Sequence, residues 1–244
     1  MKLNKIIFAG LCFSFAVSAF TQEQRVQRRS DSASSKSETS VEDEYLNDVD
    51  GIVIMSLVES DEYDNKLVAM NFLEEAVKNG NASEDVMEAL NHLAGEGIAS
   101  QTRLNGRVMN NFPDIRRRAC LALGKVKTEQ AKNYLVKVTV ADNEPMVVAA
   151  AVSSLGEIGL DNDAVVDAIS FANRRNQILN PTSSLAYEVL EAYSKLAANT
   201  ENKKIIINSI SQIAADYHYV TPVRNKALKL LKTISDSGKS SDGK

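Results

Sequence analysis

The residues of this chain that could do chemistry are few and poorly partnered. Histidine occurs only at His92 and His218, followed by Leu93 and Tyr219, so no His-Glu pair stands ready to hold a metal. There is no Gly-x-Ser-x-Gly, no phosphate-cradling glycine loop, no CxxC and no HExxH. Cys12 and Cys120 are the only cysteines. Cys120 sits inside a helical apolar pattern without a neighbouring base, the setting of a small core residue rather than a nucleophile. Asp161-Asn162-Asp163 opens like a calcium loop but lacks the following glycine and the distant acid, and it fits a helix cap better. The expectation is a protein that is not an enzyme, with no catalytic residue, cofactor or metal. What remains is recognition chemistry, in three stretches. Arg103, Asn105, Arg107, Asn110 and Asn111 form the first. Arg174, Arg175 and Asn176, flanked by Asn173 and Asn180, form the second. Tyr217, His218 and Tyr219 form the third. Guanidinium forks, amides and stiff aromatics supply directional hydrogen bonds and contact area, which binding surfaces use. The same residue types also shape turns and bridge helices, and that structural reading stays open.

The elements that must position them come from a repeat. Ala119-Cys120-Leu121-Ala122-Leu123-Gly124-Lys125-Val126 returns as Ala151-Val152-Ser153-Ser154-Leu155-Gly156-Glu157-Ile158, 32 residues later. Each copy has a proline six residues before its alanine, Pro113 and Pro145. A helical apolar pattern at such a period marks stacked repeats. Five pairs of helices follow: 48–59 with 64–78, 83–94 with 113–126, 128–140 with 145–158, 162–172 with 181–197, and 200–215 with 222–234. Ser83 and Thr128 suit N-caps, and all four prolines (Pro113, Pro145, Pro181, Pro222) suit the first turn of a second helix. A small residue recurs in each second helix, at Ala69, Ala119, Ala151, Ala186 and Ala227. The residues three and four positions on, such as Phe72 and Leu73 or Val189 and Leu190, are expected to fill the shared core. No stretch alternates with period two, so a sheet is not expected. The fold class is all-α, an α-solenoid of about five helical hairpins. The three recognition stretches fall between a first and a second helix, so they should share one rim.

The flanks read differently. Lys2, Lys5, the apolar run from Ile6 to Ala16 and the small residues Val17-Ser18-Ala19 resemble an export signal cleaved after Ala19. An uncleaved anchor and lipid attachment at Cys12 are the other readings of that segment. The chain divides into a signal over 1–19, a low-complexity tether over 20–47, the solenoid over 48–235 and a polar tail over 236–244. The location expected is the periplasm or envelope of a bacterium, with no transmembrane segment after cleavage. Cleavage removes two lysines and no acid from 28 basic and 32 acidic residues, leaving a net charge near −6. That sign argues against nucleic acid as a partner.

Asp114-Ile115-Arg116-x-x-Ala119-x-x-Ala122-Leu123-Gly124 resembles the second helix of a HEAT repeat, of the short kind seen in the PBS-lyase HEAT-like and armadillo-type families. Val223-Arg224-x-x-Ala227-x-x-Leu230-Leu231 is a second match. The resemblance spans roughly 48–235 and implies a structural ladder made by the aspartate and arginine of each second helix. Arg116 and Arg224 match the arginine, whereas the third and fourth units carry Val148 and Ser184, which interrupts the ladder there. The function it implies is a scaffold for protein–protein interaction, here through an Arg-, Asn- and Tyr-rich rim that would take an acidic protein or peptide. The alternative is a lyase-like or accessory protein holding a small molecule on its concave face.

Overall fold

The computed structural model describes residues 51–160, 163–198, 200 and 203–241, with side chains to 236. The segment expected to be an export signal, the expected tether and the Asp161-Asn162 part of the candidate cap lie outside the described residues. Ten helices follow in order: α1 over 51–59, α2 Tyr63–Lys78, α3 Glu84–Ala94, α4 Pro113–Val126, α5 Glu129–Ala141, α6 Pro145–Ile158, α7 Asp163–Leu179, α8 Ser183–Leu196, α9 Lys203–Ala215 and α10 Thr221–Ser241. They pair as five hairpins. The second helices (α2, α4, α6, α8, α10) pack on one another in chain order and make one layer; the first helices make the other. This is an all-α solenoid of HEAT-like hairpins.

Local chemistry sets the boundaries. Ser83 Oγ accepts from the Val86 amide at 3.5 Å, and Thr128 Oγ1 from the Ala131 amide at 3.2 Å, as the sequence leads one to expect. Pro113 and Pro145 open α4 and α6, where a missing N–H costs nothing. Pro222 sits in the first turn of α10. Pro181 departs from the expectation. It precedes the N-cap Thr182 and lies outside α8.

The five recurring alanines, Ala69, Ala119, Ala151, Ala186 and Ala227, are all fully buried in the seam. Leu73, Leu123, Leu155, Val189 and Leu190 fill the core beside them. Phe72 does not; it is 54% exposed, and among the described residues no earlier unit lies against α2 to cover it. Cys120 is buried, and burial pushes its thiol above the usual range, away from nucleophilic use.

The units are joined in two ways. Between the second and third, and the third and fourth, a glycine lets helices approach closely. A Cβ on Gly124 would lie 2.6 Å from Ser154 Cβ, and one on Gly156 would lie 2.8 Å from Ala192 Cα. At the outer joints the equivalent position, five after the alanine, is Glu74 or Glu191. Arg118 Nη2 meets Glu74 at 2.8 Å, and Lys226 meets Glu191. Lys195 adds a rung to Glu157. Arg118 is therefore one of these rungs. The interruption at Val148 and Ser184 falls at the two joints where glycine brings the helices into contact, and the Glu157–Lys195 pair lies beside the second of them.

The first stretch of recognition residues overturns one expectation. Residues 95–112 carry a two-stranded antiparallel hairpin, β1 Arg103–Leu104 and β2 Arg107–Val108. Asn105 (φ 51°) and Gly106 (φ 81°) form its turn, the backbone signs a two-residue Asn-Gly hairpin requires.

Candidate interaction rim

The connectors from first to second helices do meet in a row, and polar side chains tie them together. The first is built over a buried ionic cluster. Lys66 Nζ donates to the Val58 carbonyl and to Glu96 Oε2, both at 2.8 Å. Glu96 Oε1 accepts from Asn110 Nδ2 at 2.5 Å. Asn110 Nδ2 also reaches the Ser100 carbonyl, while its Oδ1 accepts from the Thr102 amide, which closes the base of the hairpin. Arg116 then crosses to the next connector. Its Nε donates to Asp142 Oδ2 at 2.7 Å and its Nη1 to the Glu96 carbonyl and Asn111 Oδ1. Lys66, Glu96, Arg116 and Asp142 are each at most 2% exposed, so two cations face two anions in a dry setting. Charge balance and full hydrogen bonding are the conditions under which such a cluster is tolerated.

The second and third connectors join in the same way. Arg175 donates to the Val140 carbonyl at 2.6 Å and to the Thr139 and Asp142 carbonyls, so a cation closes the C-terminal end of α5. Gln177 reaches Asp216 at 3.4 Å, and Ser183 Oγ accepts from the Val220 amide. Asp216 Oδ1 accepts from the His218 amide and faces the His218 ring at 2.8 Å. Burial alone would raise the Asp216 carboxyl, but these His218 contacts bring it below its usual range.

This wiring sorts the eleven residues expected to touch a partner. Arg103, Asn105, Arg107 and Asn111 are exposed on or beside the hairpin, Tyr217 is 79% exposed, and His218 is exposed beneath it, ring centroids 4.4 Å apart. Asn110, Asn176 and Tyr219 are buried, contrary to the expectation, since each is spent on the connector's own interior. Arg175 is occupied as a helix cap. Arg174 is exposed, but it lines a groove between α7 and α9 with Phe171 and Lys204 rather than the rim. The physical reason is one shift: α7 runs on to Leu179, so residues 173–179 are helix and their side chains are distributed around it.

The sequence reading also missed residues. Leu104 (59%), Met109, Ile178, Leu179 (73%) and Val220 place exposed apolar side chains along the rim, and Asn143 joins it from the α5–α6 connector. The Arg-Leu-Asn-Gly-Arg-Val run carried a hairpin signal. Nothing local marked Lys66 or Glu96, because their partners lie about one unit away.

The rungs of the second-helix layer make a pH prediction. Hydrogen bonding to Arg118, Lys195 and Lys226 holds the Glu74, Glu157 and Glu191 carboxyls below their usual range. A folded value lower than the unfolded one gives stability that is complete above the unfolded pKa, near 4.3. It is lost as pH falls through the folded value. Thermal melts are therefore expected to be flat from neutral pH down to about 5 and to drop below that. Screening limits each half-exposed pair to about 0.2–1 kcal/mol, less at high salt. A melt that stays unchanged from neutral pH to about 3 would remove the rungs from the account of stability.

Against known proteins, residues 102–175 match the family model of HEAT repeats. That segment runs from the hairpin to Arg175 and holds both glycine joints' first partners and the Arg116–Asp142 pair. No curated protein and no solved structure gives a match. Among the described residues no helix is long and apolar enough to cross a membrane. HEAT repeats generally serve as protein-interaction scaffolds and are typically not enzymes. The family match lies at the centre of five stacked hairpins, each sealed by the same buried alanine, so residues 102–175 are HEAT repeats set within an all-α solenoid of similar hairpins.

Proposed function

We propose that this protein is an exported scaffold that binds another protein through the rim of its first-to-second-helix connectors, and that the contacting part of the partner is acidic. One observation carries the reading. The connectors are tied to each other by their buried polar residues, and this leaves Arg103, Arg107, Leu104, Leu179 and Tyr217 outward, where stability does not require them. Exposed apolar side chains interspersed with arginine and tyrosine on a rigid base suit recognition. Arg103 and Arg107 are a local positive site on a chain whose formal net charge is −4, which favours an acidic contact. Export is supported by Lys2, Lys5 and the apolar run that follows.

The test is photo-cross-linking in the native cell from positions 107 and 217, with Glu88 on the face of α3 as the control position. The two rim positions are expected to capture the same protein and the control none. Arg103→Glu with Arg107→Glu should reduce that capture by about tenfold or more, a loss of at least roughly 1.4 kcal/mol, while the melt is unchanged. Undiminished capture by a folded double variant would reject the rim. N-terminal sequencing of the mature chain, with Phe20 expected first, tests export.

A further inference from the structure

Resting on that reading of the rim, we propose that the partner presents an extended peptide strand, with its acidic end over the hairpin and an apolar side chain seated between α6, α7 and α8. Two cavities lie along the rim, of about 300 and 220 Å³, and Asn143 lines both, so they adjoin at that residue and the proposed peptide channel runs through the two. The first runs between the hairpin connector and the α5–α6 connector, past Gly97, Val108 and Asn111. The second has an apolar floor of Pro145, Val148, Ala172 and Leu185, walled by Leu179, with Asn143 and Asn180 among its lining.

The channel is chemically polarised. The exposed arginines, Arg103 and Arg107, lie on the hairpin at one end. Leu179, 73% exposed, lies at the other. Along it, the exposed amides Asn111, Asn143 and Asn180 come one from each successive connector. A carboxamide both donates and accepts, and an extended strand is the ligand whose backbone leaves both groups unpaired at every residue. The Asn111 carbonyl oxygen already accepts from Arg116, so its NH₂ is the group left to offer. A helix satisfies its own backbone and gives amides no such use. Glu144 sits in the middle of the channel and would repel a carboxylate there. It confines the peptide's acids to the hairpin end. Arg175 in the wall is committed to the α5 carbonyls and shapes the second cavity rather than binding.

The experiment uses the full chain and fluorescein-labelled synthetic peptides bearing three glutamates at one end and a single leucine, with the spacing varied over about four to ten residues and both chain directions made. One spacing and direction is expected to bind about tenfold tighter than its Leu→Ser counterpart by anisotropy. Leu179→Ser and Asn143→Ala should each weaken that peptide about fivefold without moving the melt, and Arg103→Glu with Arg107→Glu should abolish its salt dependence. Binding that ignores the peptide leucine and Leu179, or that strengthens when the peptide is stapled as a helix, overturns the strand. If cellular cross-linking still depends on Arg103 and Arg107 in that event, the rim survives and only the strand falls. If that dependence is absent too, both fall.

Discussion

Arg116→Met is expected to cost about 3–5 kcal/mol of folding free energy, the largest loss from any single change considered. Methionine keeps the apolar stem but removes every donor. Asp142, 1% exposed, would then hold a charge with no cation, and the Glu96 carbonyl would lose the Arg116 bond. For a chain of this size that corresponds to a melting temperature lower by roughly 6–20 °C. Denaturant unfolding of the variant gives the number. A second variant separates lost packing from stranded charge: Arg116→Met with Asp142→Asn should recover a large part of the loss, since no bare carboxylate remains. A single variant that loses less than about 1 kcal/mol would mean that Asp142 is hydrated and that the cluster does not hold the second and third units together. Hydrogen exchange should show the hairpin connector opening before the helices, because Glu96 and Asn110 hang from the same cluster.

The second large effect is expected at Gly156. Gly156→Ala adds one carbon 2.8 Å from Ala192 Cα and 3.1 Å from Ala192 Cβ, so two helix backbones must part. Overpacking of that kind costs about 1–3 kcal/mol, against a helix-propensity gain of about 0.5–1 kcal/mol for replacing glycine with alanine. The net is a loss of up to roughly 2.5 kcal/mol, and Gly156→Val should exceed it. Ser184→Ala, on the exposed side of α8, serves as the control and should stay within about 0.5 kcal/mol. Equal stability of Gly156→Ala and the control would show that the third and fourth units can separate freely. Because a stacked chain unfolds as neighbour-coupled units, the loss should appear first as weakened protection in α8 and the helices beyond it.

Together these changes probe two kinds of joint. Ion rungs at Glu74–Arg118 and Glu191–Lys226 tolerate a wider spacing, since long side chains span it. Glycine joints at Gly124 and Gly156 demand contact. The family match over 102–175 contains both glycines and the Arg116–Asp142 bridge, so the segment that matches HEAT repeats supplies the close-approach side of both glycine joints. The rim inherits its rigidity there, which suits a surface that must hold a partner in one geometry.

Helix pairing was legible in the sequence because it is written in local chemistry. Apolar spacing, Ser83 and Thr128 as caps, Pro113 and Pro145 as openers and one alanine per unit each act within a turn or two of where they stand. The seam then follows, since a stripe that one hairpin cannot cover must be covered by the next. The Asn105-Gly106 hairpin was equally local. What only the tertiary structure decided was the destination of side chains whose partners are a unit away. Asp142, Lys66 and Glu96 are ordinary polar residues in the chain, and Arg116 was marked only as a ladder position with a second-helix aspartate; they become a buried cluster because stacking removes the water from four elements at once. Asn110, Asn176 and Tyr219 were drawn inside for the same reason, while Leu104, Ile178 and Leu179 were left out. Periodicity fixes which face of a helix is apolar, but which polar groups lose their solvent depends on how far each neighbouring unit reaches over them.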